Sequence, residues 1–180
     1  MFRRFRHSHL VVLCLALLYV CAQAHAKTDP VAMLGGAPET ITLTAEEQRY
    51  LELTNAERKA KNLPELIIAP LLVKAAREKS QEMHDLKYWG HESPVKEKRT
   101  AMRRVLFHLP KPPFAMTVGE NLCFCPKVMV DEGHHALMAS PTHKANILNP
   151  IYRYIGIGAF TAGDGRFWVT ELFLDIDYGK

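Results

Sequence analysis

Two strand-like runs, Tyr154 to Thr161 and Arg166 to Leu174, flank the turn Ala162-Gly163-Asp164-Gly165. Such a pair reads as a β-hairpin. It constrains the fold more than any other segment, because a sheet must bury its apolar face against another layer. Helices upstream are available for that. Thr44-Ala45-Glu46-Glu47 is a capping-box pattern opening a helix that reaches about Asn62, with Leu51, Asn55, Arg58 and Asn62 on one face. Pro70 suits the first turn of a second helix. There Leu72, Ala75, Ala76, Lys79, Met83 and Leu86 keep a helical period, while Lys74, Arg77, Glu78, Glu82 and Asp85 face elsewhere. The alanine pair allows close packing on a sheet. A weaker helical stretch, Glu97 to Phe107, precedes Pro110, Pro112 and Pro113, which forbid regular structure. Val118 to Phe124 reads as a strand and Lys127 to Ala139 as a helix weakened by Gly133. Ser140 caps a further short helix with Pro141 at its first position. Helices first, then strands among helices, then a hairpin predict an α+β fold with helices on a mainly antiparallel sheet.

The N-terminal segment is set apart from that fold. Arg3, Arg4 and Arg6 precede the apolar run Leu10 to Val20, and Ala24-His25-Ala26 ends it with a small-x-small pattern. These are the parts of a secretory signal peptide over residues 1–26. The run is well short of the roughly 18 residues a membrane helix needs. Cleavage after Ala26 or after Ala24 both fit, and export makes the expected location extracellular or periplasmic. Val20 before Cys21 is larger than a lipid-modified cysteine expects. Residues 27–42, with Pro30, Gly35, Gly36 and Pro38, read as a loose leader, and residues 43–177 as a single domain. Three arginines of the segment contribute to the formal net charge of +4, so the remainder stands near +1. That balance gives no reason to expect a nucleic-acid partner. No second apolar run suits a membrane span.

Two cysteines follow the segment, Cys123 and Cys125. On a strand, residues two apart have Cα atoms about 6.5 Å from each other and parallel side chains, so a local disulfide needs a kinked backbone. Free thiols, a strained or intermolecular disulfide, and a metal or redox role stay open.

The chemistry-bearing residues are spread along the domain: Tyr88-Trp89-Gly90-His91, Gly119-Glu120-Asn121, and Ser140-Pro141-Thr142-His143 followed by Asn146-Ile147-Leu148. His91, His143 and Glu120 are a sufficient ligand set for a divalent cation such as Zn2+, which lowers the pKa of a bound water toward ~7. No His-Glu-x-x-His supports that reading. Plainer roles compete: Glu120 fixing a loop, His143 orienting a helix start, His91 closing a turn, Asn121 as a loop amide and Ser140 as a helix cap. Asn55 and Arg58 suit architecture, since a long arginine ties a helix to loop carbonyls. A sharper alternative makes Ser140 a nucleophile with His143 as base and Glu120 as orienter, although no Gly-x-Ser-x-Gly elbow is present. His134 and His135 are adjacent and share no helix face, which suits solvated surface or a pocket wall. Trp89, Phe107, Phe114, Phe160, Phe167, Trp168 and Phe173 are expected mostly in the core, with one or two lining an apolar groove. Glu171 interrupts the last strand and faces either the cleft or water.

In this order the motifs resemble the CAP superfamily, which includes cysteine-rich secretory proteins, insect venom antigen 5 and plant pathogenesis-related proteins, and its compact bacterial SCP-like branch above all. The match runs from about Leu43 to Leu174. It rests on Asn55 and Arg58, on Leu72, Ala75, Ala76 and Met83, on His91 after its aromatic pair, on Gly119-Glu120-Asn121, on Ser140-Pro141-Thr142-His143 with Asn146-Ile147-Leu148, and on Ile155-Gly156-Ile157-Gly158 with Trp168 to Phe173. The resemblance implies a three-layer α-β-α sandwich with a central cleft. Eukaryotic members place two histidines and two acids there, and His91, Glu120 and His143 match three of them. The second acid's position is Ser140, the usual tryptophan is Leu137 and the usual glycine is Thr142. Members have been linked to sterol and lipid binding, host defence and proteolysis, so the resemblance fixes no substrate. The expectation is an exported, monomeric, mainly non-enzymatic protein whose cleft takes a divalent cation, a small polar or lipidic ligand, or an envelope component. The alternative is a metal-assisted or Ser140-His143 hydrolase.

Overall fold

The computed structural model describes residues 41–179. The expected signal peptide and the leader up to residue 40 lie outside them. Helix α1 (Ala45–Ala60) opens on the expected capping box: Thr44 Oγ1 accepts from Glu47 N, and Thr44 N donates back to Glu47 Oε2. Two residues of strand β1 (Ile67–Ile68) follow, then α2 (Pro70–Asp85), a short 3-10 turn (Lys96–Lys98) and α3 (Ala101–His108). Strand β2 (Ala115–Cys125), helices α4 (Val130–Ala139) and α5 (Pro141–Ile147), and strands β3 (Tyr154–Thr161) and β4 (Phe167–Asp177) complete the order.

The sheet order is β1-β3-β4-β2. β3, β4 and β2 are antiparallel, while β1 runs parallel to β3. The sheet is therefore mixed at one edge, where the sequence suggested only a connection. Side-chain alternation gives each face its own core. Ile155, Ile157, Val169, Phe173 and Cys123 pack with Tyr50 of α1, Leu137 of α4 and Ile147 of α5. Tyr154, Leu172, Leu174 and Ile176 pack with Leu72, Ala75 and Ala76 of α2 and Val105 of α3. Three layers result, helices on both sides of the sheet. α2 approaches β3 so closely that a Cβ on Gly156 would overlap the Leu72 backbone, and one on Gly158 the backbone of Ala76 and Arg77. Alanines on the helix and glycines on the strand are the two halves of that contact.

Several local expectations are corrected. The Glu97–Phe107 helix divides in two, because Thr100 caps α3 by accepting from Arg103 N. Helix α4 starts at Val130, residues 126–129 being needed to turn the chain out of β2. Leu86 lies past the end of α2 and is exposed, since Lys87 at φ 54° turns the chain away. Trp89, Phe107 and Phe114 stand on the surface, not in the core. His134 is buried against the edge of Tyr50 in the α1–α4 contact, and neither ring nitrogen has a hydrogen-bond partner among the described residues. Burial lowers its pKa.

Candidate functional site

Glu120 and Asn121 are neighbours on β2, so their side chains leave opposite faces of the sheet. β2 is an edge strand, and the expected residues gather around that edge from both helical layers.

On the α2 side, the loop after α2 presents His91. Lys79 sits on the apolar stripe of α2 yet is fully buried, and this is how it is satisfied: Nζ donates to Gly90 O at 2.8 Å, His91 O at 3.1 Å and Tyr88 Oη at 3.1 Å. Glu82 Oε1, one turn on, accepts from Ser93 Oγ, Tyr88 Oη and Arg104 Nη2. Gly90 takes φ 151°, a backbone state that side chains disfavour. The loop is thus tied at both flanks of His91. His91 Nδ1 meets Glu120 Oε1 at 2.7 Å. The imidazole is 60% exposed and the carboxylate 4%. The Glu120 hydrogen bond raises the His91 pKa against some opposition from burial. The second carboxylate oxygen, Oε2, is buried without a hydrogen-bond partner among the described residues.

On the opposite side, α5 presents His143. Asn121 is fully buried; its Nδ2 donates to His143 O at 3.2 Å and to Glu171 Oε2 at 3.0 Å. Asn146 Nδ2 donates to Asn121 Oδ1 at 2.9 Å and to Glu120 O at 3.2 Å. These bonds fix α5 against β2. Burial, and the nearby charge of His91, lower the His143 pKa. The ring is therefore biased toward its neutral form, the form that ligates metals. Ser140 stands at the N-cap position of α5 but its side chain makes no capping bond; Oγ instead contacts Thr142 Oγ1 at 3.2 Å. Among the described residues neither Ser140 Oγ nor Glu120 is hydrogen-bonded to the His143 ring; Glu120 orients His91. Also among them, no three His, Cys, Asp or Glu side chains lie close enough to hold one metal ion together.

Beneath the site, Glu171 is fully buried, neither in the cleft nor in water. Thr54 Oγ1 donates to its Oε1 at 3.1 Å and Asn121 to its Oε2. Without a cation among those partners, burial pushes its pKa up to about 7. Arg58 is the frame's main tie: Nε donates to Pro64 O, Nη1 to Ile147 O and Asn149 O, and Nη2 to Tyr152 O. Asn55 exchanges two bonds with the Leu66 backbone. Cys123 and Cys125 are free buried thiols with sulfurs 3.8 Å apart, and burial pushes Cys123 up to about 12. Of these supporting residues, Lys79 left the clearest trace in the sequence, as a charge on an otherwise apolar stripe. Asn146 stood out only as part of the Asn146-Ile147-Leu148 motif, and Thr54 left no trace.

The family model described as the cysteine-rich secretory protein family, CAP, matches residues 51–173. Protein YkwD of Bacillus subtilis (strain 168) is 35% identical over 150 residues, which are 83% of this chain and 54% of YkwD. The chain thus spans about half the length of that relative. An outer surface protein from Borrelia burgdorferi shares the fold with a TM-score of 0.66 at 21% identity, over 77% of this chain and 98% of that one. An extracellular protein containing an SCP domain from Bacillus anthracis does so with a TM-score of 0.60 at 23% identity, over 77% and 45%.

Proposed function

The chain belongs to the cysteine-rich secretory protein family, and from that premise we propose an exported, non-enzymatic binding protein whose His91–Glu120–His143 face takes a divalent cation or a small polar ligand. One observation carries the reading: the 2.7 Å bond that holds His91 by Nδ1. It leaves Nε2 on the exposed side of the ring, and a carboxylate behind a histidine is the arrangement that orients metal-binding imidazoles. The unpartnered Glu120 Oε2 and the neutral bias of His143 are consistent with a cation held near this face. His91 and His143 would supply the nitrogen ligands and Glu120 the orientation. Two protein nitrogens alone would hold such an ion loosely. Zn2+, if bound there, would lower the pKa of a water it carries.

The expected N-terminal signal and the extracellular description of the Bacillus anthracis relative support export. The test is calorimetric titration of chelator-treated protein with zinc. Wild type is expected to bind one ion weakly, His91→Ala and His143→Ala to lose it, and Glu120→Gln to weaken it about 10- to 100-fold, the usual range for loss of an orienting partner. Retention of wild-type affinity by both alanine variants would remove the reading.

A further inference from the structure

A separate cavity, of about 940 Å³, opens four residues along β2 from Glu120, and none of His91, Glu120 or His143 lines it. That volume is within the range of small-molecule sites, about 300–1,000 Å³. Tyr88, Trp89, Phe124 and Trp168 contribute aromatic rings to its lining. Trp89 is 54% exposed and Phe124 44%. Their centroids are 6.0 Å apart, and Phe124 is 5.0 Å from Trp168. Trp89 is fixed by the same loop anchors as His91, Lys79 and Tyr88. Trp89 and Phe124 thus present open ring surface, while Trp168 beside them is buried. The rim is ionic. Asp85 pairs with His84 at 2.8 Å, and Lys87 is exposed. The Arg166 guanidinium stacks 5.3 Å from the Trp168 ring centre while its Nε donates to Asp164.

We propose that this cavity binds an acidic saccharide, a pyranose bearing a carboxylate. Such a ring has an apolar C–H face and a belt of hydroxyls. The C–H face fits the negative faces of Trp89 and Phe124. The hydroxyls find donors and acceptors on His84 and Asp85, and the carboxylate meets Arg166 and Lys87. A fatty acyl chain fits less well. Met83 is the one aliphatic side chain among the residues lining it, and hydrocarbon would desolvate the charged Asp85, Lys87 and Arg166 with no polar group to offer them.

Trp89 and Trp168 are the chain's two tryptophans, so intrinsic fluorescence reports on this cavity. The full chain is titrated with an oligosaccharide of glucuronic acid, with a neutral glucose oligosaccharide of equal length, and with phosphatidylglycerol vesicles. The expected result is a saturable change with the acidic sugar. Arg166→Gln, a surface change, should weaken it about tenfold. Phe124→Ala should abolish it, with an unchanged circular dichroism spectrum showing that the variant is folded. Equal binding of both sugars, or an indifferent Arg166→Gln, would overturn the acid selectivity. A response to vesicles alone would assign the cavity to lipid, and no response to either sugar would end the proposal.

Discussion

Replacing Glu171 by glutamine removes a buried carboxyl and keeps its shape. The side-chain oxygen still accepts from Asn121, and the amide donates to Thr54 Oγ1 in place of the present bond. The wild-type group moves from an ordinary 4.5 to about 7 on folding. A carboxyl with a raised folded pKa binds its proton more tightly in the native state. Its stabilising contribution is full below about pH 4.5 and is lost as pH rises through about 7. At about 1.4 kcal/mol per pH unit the whole loss is about 3 kcal/mol. Glutamine carries no such dependence. Urea unfolding from pH 4.5 to 8 at constant ionic strength, followed by far-ultraviolet circular dichroism, measures both proteins. The variant should gain on wild type by about 3 kcal/mol across that window and level off above it. Subtraction cancels every other titrating group, including His91 and His134. A stability difference constant with pH would refute the argument, because the carboxylate would then be as comfortable in the core as in water.

Other outcomes follow from the same frame. Arg58→Ala strips donors from four carbonyls and is expected to cost about 4 kcal/mol in urea unfolding, with Arg58→Lys only partly restoring it. Gly158→Ala drives a methyl into the α2 backbone and should destabilise by about 3 kcal/mol, visible as a lowered Tm, whereas Gly163→Ala on the open turn should be near neutral. Glu120→Gln removes the main cause of the raised His91 pKa, so an NMR titration of the His91 ring should show it falling; an unmoved midpoint would deny that the carboxylate governs this ring.

Local chemistry is readable from the sequence, and long-range pairing is not. Thr44 and Glu47 cap α1 within four residues, and the hairpin around Gly163 is likewise a local signal. The buried face of α1 is Glu47, Tyr50, Thr54 and Arg58; of the face read from the sequence it shares only Arg58, with Leu51 packed at its border. Glu47 is satisfied there by Arg77, which donates to both its oxygens, and by Ala159 N. Thr54 is matched by Glu171, 117 residues away. A polar residue inside a core is legible only once its partner is known. β1 leaves no signal because two residues carry no periodicity. The site residues stand out as a set, but the side from which each approaches the sheet follows from the register of β2, which pairs Glu120 with Leu172 and Asn121 with Glu171.

That register has a mechanical consequence. His91 belongs to one helical slab and His143 to the other, and each is tied to a residue of the same outermost strand, Glu120 and Asn121. A guest gripped by both rings would act as a rivet through the sandwich, stiffening slabs otherwise joined through the sheet between them. A slip of β2 by one residue would exchange the acid and the amide and leave His91 without its carboxylate and His143 without its tie to Asn121.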